Sequence, residues 1–353
     1  MPVTVIVGGQ YGSEGKGKVA YHLAREMGAA AVIRVGGPNS GHTIVVPGQK
    51  PFVFRHLPTA ALLPKVHCII GPGSYLDVDV LLKEINVANL PANRISIDPH
   101  AFIIEDRDRR AEEQSKLRNI GSTLSGTGAA VQRRIGRDGT ATSAKDSSLL
   151  GPYVGPTAPF LRELLDRKER VIIEGTQGFG LSVVHSPYYP MTTSRDTTAA
   201  SFISEAGLSP LDVDDIVLVL RAFPIRVPGN SGPLPDEIDW ETIRAESGDP
   251  SPIVELTSVT RRIRRVARFH PEIVREAIRI NQPTRIVLNH LDYIDPTVRD
   301  LTVATPKVIK WVEIILSKIQ RDIGYFGFSP SVLVSKETAI PSNRKANKKL
   351  QVV

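Results

Sequence analysis

The sequence predicts an α/β fold, a mostly parallel central sheet with helices on both faces. Three features predict it: short apolar runs that stop at glycine or polar residues, helical spacing of apolar positions between those runs, and a strand, glycine loop and helix early in the chain. Val3 to Val7 (VTVIV) enters Gly8-Gly9 as a buried parallel strand enters a loop. From Lys16 the apolar positions Val19, Ala20, Leu23, Ala24 and Met27 follow a helix, which Gly28 closes. Further buried strands are expected at 30 to 35 (AAVIRV), 66 to 70 (VHCII), 171 to 175 (VIIEG), 216 to 220 (IVLVL) and 285 to 289 (RIVLN). Helical patterns lie between several of them, in LLKEI, FLRELLDRKER and PEIVREAIRI. No internal repeat interrupts the alternation, so residues 1–340 read as a single domain with long functional loops. Residues 341–353 read as a basic, polar, frayed tail.

Composition narrows the function classes. Apolar residues make up 41% and charged residues 23% of the 353, as in ordinary globular proteins. No apolar stretch approaches the ~20 residues that span a bilayer, so no membrane role is expected. The segment MPVTVIVGG has neither a basic leader nor a cleavage site. Cys68 is the single cysteine and cannot form an internal disulfide, which agrees with a reducing cytoplasm. Lys and Arg total 44 against 37 Asp and Glu, a formal charge of +7 that favours anionic ligands, either nucleic acid or phosphorylated metabolites.

Residues 8 to 20, GGQYGSEGKGKVA, come close to a phosphate-binding loop. Gly12, Gly17 and Lys18 satisfy G-x-x-x-x-G-K, but Val19 stands where a Walker A motif carries a magnesium-binding Ser or Thr. The N–H groups of such a turn and the positive end of the helix it opens suit phosphate oxygens, and Lys16 and Lys18 add charge. The plainer reading is a tight turn with two solvated lysines. In GGPNSGHTIV (36 to 45), His42 is either a general acid or a structural histidine. The arginine clusters QRRIGR (132 to 137) and TRRIRRVARFH (260 to 270) form either a solvated or nucleic-acid face or, with the hydroxyls of TSVT before the second, a carboxylate or phosphate site. Phe269 is the only aromatic there, which disfavours direct nucleic-acid binding. NHLD (289 to 292) ends a strand and resembles the guanine-reading NKxD motif with His290 in place of Lys; a carboxylate at Asp292 can accept both N–H groups of a guanine edge.

Together these motifs resemble the adenylosuccinate synthetase family along nearly the whole chain. GSEGKGK is similar to the family's G-D-E-G-K-G-K, and Asn39, Gly41, His42 and Thr43 match N-x-G-H-T. Glu174, Gly175, Gln177 and Gly178 match E-G-x-Q-G; Thr193, Ser194, Thr197 and Thr198 match T-S-x-x-T-T. Val259 to Arg265 resembles T-T-G-R-R-R-R, and Asn289 to Asp292 resembles T-K-x-D. The resemblance implies a two-step ligase in which a nucleoside triphosphate, ATP or GTP with Mg2+, phosphorylates O6 of a purine monophosphate and the amine of L-aspartate displaces that phosphate. It implies phosphate binding by Gly12, Ser13, Glu14, Gly15, Lys16, Gly17 and Lys18, catalysis by Ser13, Lys16 and His42, and metal contacts at Ser13 and Gly41. The purine monophosphate falls to Ser13, Asn39, Ser40, Gly41, His42, Thr123, Gln177, Thr193, Arg262 and either Arg133 or Arg134, the last reaching across a homodimer with a shared site. Aspartate falls to Ser258, Val259, Thr260, Arg262 and Arg264, and the donor base and ribose to Arg264, Asn289, His290, Asp292 and Ser335.

Ser13 departs from the family. Its counterpart there is an aspartate that takes the N1 proton of IMP and binds magnesium, and a serine hydroxyl is a far weaker base at neutral pH. A carboxylate would crowd a substituent at C2 of the purine, whereas the shorter serine leaves room for guanine's amino group and can accept its hydrogen bond. The chain therefore resembles the phage branch of the family, which acts on dGMP in the route to 2-aminoadenine DNA. The alternatives are an ordinary IMP-using synthetase with GTP, and a non-catalytic nucleotide-binding switch.

Overall fold

The computed structural model describes residues 2–46, 48–137, 139–257 and 261–341. Its nine-stranded sheet consists of β1 (Val3–Gly8), β2 (Ala31–Arg34), β3 (His67–Ile70), β4 (Ile95–Ile97), β5 (Val171–Glu174), β6 (Val213–Arg221), β7 (Arg285–Asn289), β8 (Tyr325–Gly327) and β9 (Leu333–Ser335). The order across the sheet is β9-β8-β7-β6-β1-β5-β2-β3-β4, and only β8 and β9 pair antiparallel. Every apolar run expected as a strand is one. β4, β8 and β9 were not expected, because three residues each are too few to show a period.

Alternation along each strand divides the core in two. On one face the helix Lys16–Glu26 lays Val19, Ala20, Leu23 and Ala24 on Ile6, Val32, Ile172 and Val217. On the other, Val5, Val7, Ile33, Ile173, Leu218 and Leu288 meet Phe202, Val274, Ile278 and Val312 from the helices Ala199–Ala206, Pro271–Asn281 and Pro306–Ile319. The helix read from FLRELLDRKER is Thr157–Asp166; it stops short of the sequence pattern because Lys168 turns left-handed (φ +59). Residues 342–353, most of the expected tail, lie outside the described residues.

β1 is the switch point: the chain winds one way from it through β2, β3 and β4 and the other way through β6, β7 and β8. Ligands of such sheets bind outside the carboxyl ends of the strands near that point. Here those ends carry Gly8, Arg34, Glu174, Arg221 and Asn289 along one side of the sheet.

Just past β5, a Cβ at Gly175 would lie 2.3 Å from the Ile6 carbonyl oxygen and 2.3 Å from the Phe202 ring. Gly175→Ala is therefore expected to cost ~1–3 kcal/mol of stability by overpacking. The measurement is the urea midpoint, and an unchanged midpoint would show that the ring and strand can separate freely.

Candidate active site

A cleft of about 720 Å³ opens over these strand ends. The glycine loop at its floor is shaped by left-handed residues, Gly12 (φ +87), Ser13 (φ +56) and Gly15 (φ +90). At Gly15 a Cβ would lie 2.8 Å from Asn289 Nδ2, so the loop closes on the end of β7 only with glycine there. Asn289 is fully buried and donates from Nδ2 to the Glu14 carbonyl at 2.7 Å. The Glu14 side chain turns inward, where it accepts from Gly12 N (2.8 Å), Gln10 N (3.2 Å) and Lys16 Nζ (2.6 Å). Lys16 also donates to the Gln177 carbonyl. Ser13 does the opposite. Its side chain is exposed in the cleft while its carbonyl accepts from Arg221 Nη1 at 3.0 Å. Lys18 is buried and donates to the Ser329 carbonyl at 3.0 Å; burial brings its ammonium down to about 7, with Asp292 opposing the shift.

The parallel register of β2 and β5 sets Arg34 directly beside Glu174. Fully buried, Glu174 accepts from Arg34 Nη1 (3.1 Å), His42 Nδ1 (2.6 Å), Thr59 N (2.9 Å) and Thr59 Oγ1 (3.0 Å). His42 starts the short strand His42–Ile44, which pairs antiparallel with Phe52–Phe54 and carries the ring into the cleft. Burial first, then the Arg34 charge, lowers its imidazole to about 3 although Glu174 pulls the other way. His42 is thus neutral, with its Nδ1–H on Glu174 and Arg34 against the ring nitrogens. The pair can present a fixed positive environment to charge that develops on a ligand oxygen.

Across the glycine loop, Arg221 ends β6 fully buried and pairs with Glu255, which also accepts from Tyr293 OH at 3.0 Å. Burial pushes the Glu255 carboxyl up, but Arg221, His290 and Arg264 outweigh it and hold it at about 2. Glu255 opens a hairpin in which Leu256 bridges Ile263 and Arg264 N donates to the Glu255 carbonyl at 2.9 Å. The hairpin leaves Arg261 and Arg262 exposed along the cleft and Arg264 half-buried, donating from Nε to the Leu256 carbonyl at 3.1 Å. Arg261 is left-handed (φ +54) where the resembling motif has glycine. Deeper in, His290 (φ +64) has a buried Nδ1 with no partner among the described residues. Asp292 is pushed up to about 6 by burial, with Lys18 and Arg299 acting against the shift.

The cleft gathers most residues singled out in the sequence: Gly12, Ser13, Gly15, Lys16, Gly17, Lys18, Asn39, Ser40, Gly41, His42, Thr123, Gln177, Thr193, Arg262, Arg264, His290 and Asp292. Glu14 and Asn289 are not among the lining residues, and their side chains lie beneath the loop and brace it. Nor does Ser335 line the cleft. It caps the helix Lys336–Ala339 through Thr338 N at 3.4 Å, and Ser329 and Pro330 line the cleft instead. Neither Arg133 nor Arg134 lines the cleft of its own chain. Asp108 takes Arg133 at 2.9 and 2.7 Å over the Phe102 ring, and Arg134 donates to the Pro72 carbonyl at 3.1 Å. Ser258, Val259 and Thr260 lie outside the described residues. Sequence reasoning missed Tyr11 and Arg226, whose guanidinium sits 4.8 Å from the Tyr11 ring centroid in the cleft wall, because residues 215 apart give no local signal. Among the described residues no three His, Cys, Asp or Glu side chains cluster to hold a metal. Ser13 and Gly41 line the cleft and carry only neutral oxygens, which would fit Mg2+ if substrate phosphates completed the shell.

A phosphate loop at the switch point, a histidine and carboxylate beside it and an arginine hairpin opposite define an enzyme of nucleotide chemistry. The adenylosuccinate synthetase family model matches residues 5–144 and 141–306. The chain is 36% identical over 344 residues to adenylosuccinate synthetase of Thermococcus onnurineus (strain NA1), covering 94% of this chain and 97% of that one. It is 40% identical over 299 residues to the enzyme of Methanocaldococcus jannaschii, covering 83% of each. Among solved structures it is similar to succinoaminodeoxyadenylate synthetase of cyanophage S-2L bound to dGMP and dATP as an energy donor, with a TM-score of 0.77, 32% identity and 93% of each chain covered. The fold is shared with the fully ligated adenylosuccinate synthetase of Plasmodium falciparum, with a TM-score of 0.82, 18% identity, and 95% of this chain and 100% of that one covered. The chain belongs to the adenylosuccinate synthetase family and is a carbon–nitrogen ligase.

Glu255→Gln would leave the buried Arg221 guanidinium without its countercharge, an expected cost of ~3–5 kcal/mol at neutral pH. A carboxyl held at about 2 stabilises the fold at pH above its unfolded value and loses that contribution as pH falls through the folded one. The stability gap between wild type and variant in urea should therefore stay constant from roughly pH 8 to 5 and narrow only below roughly pH 4. A gap that closed near neutral pH would remove the ion pair as its cause.

Proposed function

We propose that this ligase joins L-aspartate to C6 of dGMP, giving N6-succino-2-amino-2′-deoxyadenylate. One observation carries the reading: Ser13, with its hydroxyl exposed in the cleft, replaces the family's aspartate. The cyanophage relative, whose structure holds dGMP, supports it. In the first step N1 of the purine gives up its proton to water, the donor's γ-phosphoryl group passes to O6 and the nucleoside diphosphate leaves. In the second the aspartate amine attacks C6 and gives up a proton, the C6–O bond breaks, and inorganic phosphate departs with the electron pair. Lys16, released from Glu14 when phosphate oxygens compete for it, holds the donor's phosphates beside the loop N–H groups. The His42 ring, oriented by Glu174 and backed by Arg34, faces the region of O6, and the fixed Arg34 charge behind it is placed for charge that develops on that oxygen. Arg262 and Arg264 take the carboxylates of aspartate as guanidinium forks. Ser13 and Gly41 would hold Mg2+, which would supply countercharge to the phosphates. Glu14, Asn289 and Ser335 have no direct ligand role in this reading.

For the donor we infer ATP over GTP. His290 removes the lysine of the guanine motif, and the cyanophage relative holds dATP as energy donor. Asp292 remains in the cleft and would still accept a guanine edge. The proposed assembly is a homodimer in the cytoplasm, with Arg134 or Arg133 reaching the neighbouring chain's purine phosphate.

Turnover of IMP, GMP and dGMP, each with and without aspartate, tests the function. Phosphate release without any need for aspartate would mark a nucleotide switch, and turnover of IMP alone an ordinary synthetase. Ser13→Asp should shift relative efficiency from dGMP to IMP by ~30-fold to 1,000-fold, through a lost hydrogen bond and a clash at the 2-amino group. Equal scaling of both substrates would show that residue 13 does not read C2.

A further inference from the structure

The hairpin that carries Arg262 and Arg264 takes its shape from bonds within it. Thr257 N donates to the Arg262 carbonyl at 2.9 Å, and Arg262 N donates to Thr257 Oγ1 at 3.0 Å. Its two ends tie it to the body of the protein. At one end Glu255 is paired with Arg221. At the other, Arg264 leads directly into the strand Arg265–Ala267, which pairs antiparallel with Glu237–Ile238.

The register of that pair sets Glu237 opposite Ala267 and Ile238 opposite Val266. Two steps further along the same register, Trp240 would face Arg264. The ladder stops first, because Asp239 becomes a helix cap, its side chain accepting from Thr242 N at 2.7 Å, and the chain continues as the helix Trp240–Ser247. The indole supplies a bond where the ladder ends: Trp240 Nε1 donates to the Arg264 carbonyl at 2.8 Å. The same ring, 7% exposed, stands edge-on to Tyr293 with centroids 6.0 Å apart and an angle of 82°. Tyr293 OH donates to Glu255 at 3.0 Å, and Arg264 N donates to the Glu255 carbonyl at 2.9 Å. Trp240, Arg264, Glu255 and Tyr293 thus close a circuit around both ends of the hairpin. Trp240 alone of the four does not line the cleft.

We propose that Trp240 is a positioning residue for the amino-acid substrate, its indole N–H fixing the Arg264 carbonyl and with it the hairpin that presents Arg262 and Arg264. The proposal rests on the reading above, in which these arginines take the carboxylates of aspartate. Two guanidinium forks must meet one small ligand together, so a hairpin set in advance spares the ligand the cost of ordering it.

The test is kcat and the separate KM values for aspartate, dGMP and donor. Trp240→Phe removes the N–H and keeps a ring against Tyr293. It should raise the KM for aspartate by ~3- to 10-fold, the worth of one hydrogen bond, and leave kcat and the other two KM values within about 2-fold. β-(3-Benzothienyl)alanine at position 240 exchanges the N–H for sulfur at nearly constant shape and should reproduce the effect even if phenylalanine packs poorly. An unchanged aspartate KM in the folded variants, an equal rise in all three KM values, or an effect of phenylalanine that the benzothienyl analogue does not share overturns the proposal. Arg264→Leu separates it from the underlying reading. An aspartate KM unchanged in Arg264→Leu but raised in Trp240→Phe would sink the Arg264 assignment and leave Trp240 in control of the hairpin through Arg262. Turnover of IMP alone would sink the dGMP reading, and the same aspartate measurements made with IMP would still decide the role of Trp240.

Discussion

The buried carboxylate of Glu174 is the contact on which the site's assembly rests. The strand register sets it beside Arg34, but its other bonds reach out of the sheet, to His42 on a separate hairpin and to Thr59, whose hydroxyl also donates to the Gly17 carbonyl at 2.7 Å. Sheet, hairpin and the first turn of the phosphate-loop helix are thus tied to one group with no exposure to water. Arg34, His42 and Thr59 N donate to the anion, and the single Thr59 hydroxyl proton is shared between it and the Gly17 carbonyl, which satisfies the condition under which a buried charge is tolerable. The same arrangement keeps the His42 ring in one orientation, since Nδ1 has a fixed partner.

On the far side of the glycine loop a second ion pair, Arg221 with Glu255, plays a matching part. Arg221 holds the loop by the Ser13 carbonyl and the arginine hairpin by Glu255. The loop therefore sits between two rigid electrostatic brackets, one on each neighbouring region of the sheet edge. Neither bracket is an efficient source of stability, because desolvation cancels most of the attraction in such pairs. Their effect is positional: donors and charges stand ready, so little reorganisation remains when a substrate arrives.

Much of this was legible in the sequence, and the reasons differ by element. Runs such as VTVIV and RIVLN are read correctly because strands buried on both faces are apolar throughout, and the glycine loop because its spacing is imposed by backbone geometry. The edge strands at Ile95 and Leu333 escape notice because three residues carry no periodicity. Side-chain direction is the deeper blind spot. Glu14 stands in the middle of the motif yet faces inward, and Asn289, at the head of NHLD, points beneath the loop. Ser335 and Ser329 are six residues apart with similar local chemistry, and only the turn between β8 and β9 decides which reaches the cleft.

At Ser13 the backbone is held entirely by its neighbours. Its carbonyl is held by Arg221, and its left-handed conformation, between left-handed Gly12 and Gly15, is one that short polar side chains tolerate and β-branched ones do not. Most positions in a catalytic loop combine architecture with chemistry, so a change in one disturbs the other. Here the two are uncoupled for short polar side chains such as serine and aspartate. Such a residue is a point of low resistance in sequence space: a lineage can exchange the side chain, and with it the molecule it acts on, while every other part of the loop keeps its place.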